Sequence, residues 1–171
     1  MRGPIVLVGL MGSGKTSVGA ALAKRLGWPH VDLDQALEKR WSQSIPDQFS
    51  RVGEAGFRRR ETAQLARELR RRCVLSTGGG VVTQEPNRRA LKGHCTVFLQ
   101  ASPATLAARL TGAQAAKRPL LKGKSPVEVL RRLQRVRGPW YREVASVTVR
   151  AGQGGPGQVA ERILRRCGQL G

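Results

Sequence analysis

Eight residues, Gly9-Leu10-Met11-Gly12-Ser13-Gly14-Lys15-Thr16, constrain this chain more than any other stretch. They match G-x-x-x-x-G-K-[ST] at every fixed position. The apolar run PIVLV over residues 4–8 precedes them, the pattern of a central strand of a parallel sheet. Behind them Val18, Leu22 and Leu26 recur on one face of a helix expected over 15–26, which Gly27 ends. A glycine loop set between such a strand and a helix start turns its backbone N–H groups inward around a phosphate, and the helix adds the positive end of its dipole. Gly12, Ser13, Gly14, Lys15, Thr16 and Ser17 are therefore expected to hold the phosphates of ATP. Lys15 would reach the β- and γ-phosphates as a compact cation, and the Thr16 hydroxyl would ligate Mg²⁺. Chance agreement in a glycine-rich chain is the competing explanation, and the flanking strand and helix argue against it.

Strand and helix patterns alternate along the rest of the chain. Short strands are expected at 30–33, 73–76, 95–99 and 146–150, and helices at about 34–41, 54–72, from Ser102 and Pro103 onward, 126–143 and 158–167. Residues 42–53, which include Pro46, read as irregular. Residues 112–125 carry glycine, lysine and proline without periodicity and read as a mobile loop. The fold class that follows is α/β, with a parallel sheet covered on both faces. At 171 residues, with no internal repeat or linker, the chain is expected to be one domain, 1–171.

Charge is the unusual bulk property. Lys plus Arg number 31 against 11 Asp plus Glu, a formal net charge of +20. Such a balance suits anionic substrates, and it also raises the possibility of nucleic acid. The arginine runs at 67–72 and 131–135 have no interleaved aromatic residues, so no stacking platform for single strands is present. Solvated helix faces are the reading adopted, with no specific nucleic-acid partner. No apolar run approaches the ~20 residues of a membrane span. With an apolar start that leads directly into the glycine loop, a cytoplasmic, soluble monomer is expected. The three cysteines, Cys73, Cys95 and Cys167, lack metal or redox spacing, and unreactive thiols are expected.

Asp32 and Asp34 stand two apart where the second strand ends, at the sheet edge where ligands collect. Phosphoryl transfer needs one carboxylate near Mg²⁺ and another to take or orient the proton of the attacking hydroxyl. A plain N-cap for the next helix is the alternative for Asp34.

Further strings complete a pattern: GLMGSGKTSVGAALAKRLG at 9–27, VDLD at 31–34, GEAGFRRRE at 53–61, LSTGGGVV at 75–82, KRPLL at 117–121 and RGPWYREVA at 137–145. In this order they resemble the shikimate kinases, of the nucleoside-monophosphate-kinase-like branch of P-loop enzymes. The resemblance runs nearly end to end. It implies a three-layer αβα sandwich on a five-stranded parallel sheet, a substrate segment at about 34–61 and a mobile lid at about 112–125. It implies ATP, Mg²⁺ and shikimate, with phosphorylation of the 3-hydroxyl. Asp34 would bind shikimate hydroxyls and accept the proton. Asp32 and Ser76 would sit near Mg²⁺ through water. Arg58 and Arg137 would grip the carboxylate, as the forked donors of arginine suit it. Glu61 would hold those arginines, and Gly78, Gly79 and Gly80 would line the ring. Arg118 of the lid would touch the phosphates during transfer. Arg109 would stack on adenine, with Pro156 packing nearby. The loop GQGGPG at 152–157 departs from the family in carrying no basic residue.

Overall fold

The computed structural model describes residues 3–110, 123 and 125–168. Its chain begins with β1 (Ile5–Val8), α1 (Lys15–Leu26), β2 (His30–Asp32), α2 (Leu33–Trp41) and α3 (Ile45–Glu68). β3 (Val74–Ser76), a 3₁₀ turn (Val81–Thr83), α4 (Glu85–Lys92), β4 (Cys95–Gln100) and α5 (Pro103–Arg109) follow. α6 (Pro126–Val144), β5 (Val147–Arg150) and α7 (Pro156–Cys167) complete it.

All five strands are parallel, in the order β2-β3-β1-β4-β5. β1 lies in the middle and is buried along its whole length. Its alternation divides the core. Ile5 and Leu7 face one layer, where Val18, Leu22, Val159 and Ile163 bring α1 and α7 against the sheet. Val6 and Val8 face the other, with Leu33, Phe57, Leu65, Leu91, Leu106, Leu130 and Tyr141 from α2 to α6. Helices thus cover both faces, the three-layer arrangement expected from the alternating pattern. The register aligns Asp32 with Ser76 and Ser76 with Leu7, so β2, β3 and β1 end side by side.

Two stretches differ from the sequence expectation. Residues read as irregular around Pro46 are helical from Ile45, because Ser44 caps the helix and Pro46 falls in the first turn, where its missing N–H costs nothing. α3 breaks at Gly53 (φ 67°, ψ 175°) and resumes, ending at Glu68 rather than near residue 72. Residues 81–94, for which no element was expected, contain the 3₁₀ turn and α4. Of the expected lid, 112–125, only Gly123 and Ser125 are described; Lys117 and Arg118 lie outside the described residues.

Candidate active site

β1 ends at Val8 and α1 starts at Lys15, so the glycine loop joins them at the carboxyl edge of the sheet. Gly14 caps α1 without a side-chain hydrogen bond, which leaves the first N–H groups of the helix directed into the loop. Gly12 has φ 78°, and a Cβ there would lie 2.7 Å from the Leu106 carbonyl oxygen. Lys15 Nζ donates to the carbonyls of Gly9 (2.8 Å) and Leu10 (2.9 Å), folding its ammonium over the loop. Arg109, at the end of α5, donates to Gly12 O (3.4 Å) and Ala151 O (2.7 Å). It thereby spans from the loop to the end of β5. Close by, a cavity of about 480 Å³ is lined by Gln100, Ser102, Thr105, Gln134, Arg150 and Gln153.

Asp32 serves two neighbours. Its Oδ1 accepts from the backbone N–H groups of Asp34 (3.1 Å) and Gln35 (3.3 Å), capping α2. Its Oδ2 accepts from the Thr16 hydroxyl at 2.8 Å. The cap of α2 is therefore Asp32 and not Asp34. Asp34 sits in the first turn with its carboxylate beside Gly78, where a Cβ would lie 2.9 Å from Asp34 Oδ1 and 3.3 Å from Glu61 Oε1. The Thr16–Asp32 pair offers hydroxyl and carboxylate oxygens, the hard donors that suit Mg²⁺. No cluster of three or more His, Cys, Asp or Glu able to hold a metal occurs among the described residues.

Ser76 stands in register with Asp32, and two neighbours engage its hydroxyl. Its hydroxyl donates to Lys15 O (2.9 Å), so the oxygen accepts from His30 Nε2–H (2.9 Å). Both contacts lie beneath α1 and seat that helix on β2 and β3. Burial holds the His30 imidazole below its usual range, and the charge of Asp32 partly opposes this.

Arg58 and Glu61 form a 2.7 Å ion pair, with side chains 11% and 1% exposed. Arg58 also lies 3.6 Å from Glu54, and its buried Nε has no hydrogen-bond partner among the described residues. Beneath the guanidinium are the rings of Phe57 (5.4 Å) and Phe49 (5.8 Å), themselves stacked at 4.2 Å. Gly80 is where this guanidinium meets the loop, and any Cβ there would collide with Arg58. Burial pushes the Glu61 carboxyl above its ordinary range. Arg58 opposes that shift most strongly, Asp34 adds to it, and Arg137 opposes it. Arg58 pairs with Glu61, Asp34 and Glu61 both flank Gly78, and Arg137 binds Gly79, so the three side chains gather around the Gly78–Gly80 turn.

Arg137 Nη1 donates to Gly79 O at 3.0 Å, and the Tyr141 hydroxyl donates to the same oxygen at 2.5 Å. Tyr141 is fully buried and stacks on Phe98 at 5.1 Å. Burial drives its phenol far above the usual range, so it stays a donor. Sequence reasoning gave Tyr141 and His30 no role. For Tyr141 the signal was available: a tyrosine in a core-facing helix needs a partner for its hydroxyl. For His30, which opens β2, the sequence held no signal.

A family model described as Shikimate kinase matches residues 11–168. The chain belongs to the shikimate kinase family. It is 44% identical over 163 residues to the shikimate kinase of Acinetobacter baumannii (strain AYE), covering 94% of this chain and 89% of that protein. To the shikimate kinase of Enterococcus faecalis it is 42% identical over 164 residues, covering 95% and 96%. A solved shikimate kinase from Acinetobacter baumannii in complex with shikimate superposes with a TM-score of 0.93 at 40% identity, covering 99% of this chain and 95% of that one. Shikimate kinase membership makes the chain an ATP-dependent kinase and accounts for the glycine loop and the triple glycine in one architecture. No helix among the described residues is long and apolar enough to cross a membrane.

Proposed function

We propose that this chain transfers the γ-phosphoryl group of ATP to the 3-hydroxyl of shikimate, releasing ADP and shikimate 3-phosphate. The observation that carries this reading is the meeting of Asp34, Arg58 and Arg137 around Glu61 and the Gly78–Gly80 turn, next to the glycine loop. One acid and two forked cations beside a phosphate cradle suit a substrate that carries both a carboxylate and hydroxyls.

In this reading Arg58 and Arg137 hold the substrate carboxylate, and the unpartnered Nε edge of Arg58 supplies one of the donors. Glu61 fixes the Arg58 fork from behind. Asp34 accepts the proton of the attacking hydroxyl, and main-chain N–H groups of Gly79 and Gly80 meet the ring hydroxyls. Lys15 exchanges the carbonyls of Gly9 and Leu10 for the phosphate oxygens, where it offsets the charge that grows in the transition state. Thr16 would ligate Mg²⁺ directly and Asp32 through water; bound there, the ion would neutralise phosphate charge. Ser76, in register with Asp32, would join it near the ion through water. Arg109 borders the place of the base, and Arg118 is assigned to the phosphates by resemblance alone. A cytoplasmic monomer goes with this proposal.

A coupled assay for ADP release with and without shikimate tests it. Shikimate-dependent release is expected. Release driven instead by gluconate, a nucleoside monophosphate or RNA would overturn the assignment. Lys15→Ala and Asp34→Asn are expected to lower kcat about 100-fold or more. Arg58→Ala should raise KM for shikimate about 10- to 100-fold, the worth of a charged hydrogen bond, with KM for ATP unchanged.

A further inference from the structure

The sequence separates Cys95 from Cys167 by 72 positions, yet their sulfurs lie 3.1 Å apart. Both are free thiols. Cys95 opens β4 and is half-buried; Cys167 closes α7 and is buried. This contact lies at the amino edge of the sheet, where Cys95 registers with Ile5. The glycine loop and the Gly78–Gly80 turn are at the opposite edge. Cys73 belongs to the core on the other face of the sheet.

We propose that Cys95 and Cys167 form a reversible oxidation site, closed by a low-molecular-weight disulfide into an intrachain bond that ties the start of β4 to the end of α7. A disulfide needs sulfurs about 2.05 Å apart, so the thiols need approach by only about 1 Å. The geometry also divides the roles. The thiol hydrogen bond between Cys95 and Cys167 holds Cys95 below the usual thiol range against the effect of burial and raises Cys167. Cys95 is the more exposed of the two and is the attacking thiolate. It displaces one thiolate from the external disulfide and forms a mixed disulfide. Cys167 then loses its proton, attacks the Cys95 sulfur and expels the second external thiol. Two protein thiols are oxidised by two electrons, and one external disulfide is reduced to two thiols. The closed ring contains α5, α6, β5 and α7, and a cross-link over so long a loop restricts the unfolded chain strongly.

The test treats the folded, full-length chain with glutathione disulfide and then with dithiothreitol. Titratable thiols should fall from three to one, the monomer should lose the mass of two hydrogens, and peptide mapping should join Cys95 to Cys167. Tm should rise by about 5–15 °C and return on reduction. Cys95→Ser and Cys167→Ser should each abolish the rise, while Cys73→Ser keeps it. Three thiols persisting, a product arrested as the mixed disulfide, a bridge through Cys73, a covalent dimer or an unchanged Tm would each overturn the proposal.

Discussion

Gly79 offers one carbonyl oxygen, and two side chains a turn apart on α6, Arg137 and Tyr141, both donate to it. The turn between β3 and α4 is thereby pinned from the layer beneath. Tyr141→Phe removes one donor and leaves the other, so folding should survive. A loss of about 1 kcal/mol is expected, read as a Tm lower by about 2–4 °C. Because the pinned turn faces the proposed shikimate site, KM for shikimate should rise while KM for ATP stays constant. Equal values for variant and parent would remove Tyr141 from any positioning role. Without the family resemblance, the sequence could not choose among Arg58, Arg59 and Arg60. The structure separates them by helical phase. Arg58 shares a face with Glu61, three positions on, and turns inward; Arg59 is exposed; Arg60 lies 5.0 Å over the Trp41 ring. A helix period is readable from sequence, but which face meets the triple glycine depends on how α3 crosses β3, and nothing local encodes that.

Among the elements, α3 carries the largest discrepancy and a test of its own. Its two halves meet at Gly53, whose φ of 67° and ψ of 175° form a combination open only to glycine. No atom lies within 4 Å of a Cβ built there, so strain and not collision sets the cost. Gly53→Ala should cost about 1–3 kcal/mol in denaturant unfolding. The break also aims the first half of α3, which brings Phe49 under Arg58. KM for shikimate should therefore rise in the same variant; stability lost without any change in KM would show that the break serves folding only. β1, α1, β4 and β5 were legible because their apolar periods are strong and glycine or proline marks their ends. α4 was not, because EPNRRALK has few apolar residues and buries mainly Asn87 and Leu91. Asn87 earns its place through a hydrogen bond to Val81 O at 2.9 Å, which no hydrophobic pattern reveals.

On the scale of the molecule, much of the arginine among the described residues faces solvent. Arg67, Arg70, Arg71 and Arg72 at and beyond the end of α3, with Arg131, Arg132 and Arg135 on α6, are all exposed. Stability against pH should instead follow a half-buried group. His30 is held below its ordinary 6.5 by burial, so the native state keeps it neutral to lower pH than the unfolded chain does. The unfolded state then binds the extra proton first as acid is added. The His30 contribution is full above 6.5 and is lost as pH falls from there through the lowered native value. His30→Gln can still donate to Ser76 and cannot titrate. Unfolding free energies of parent and variant between about pH 5 and 7.5 should diverge on the acid side, with the parent weakening faster; parallel curves would refute the coupling. A last consequence concerns the Gly78–Gly80 turn. A Cβ at Gly80 or Gly78 would have to displace the ends of the Arg58 and Asp34 side chains, while at Gly79 it would meet only ordinary contacts. In the proposed site, a change of acceptor would therefore fall first on the side chains at positions 34, 58 and 137, before the turn between them.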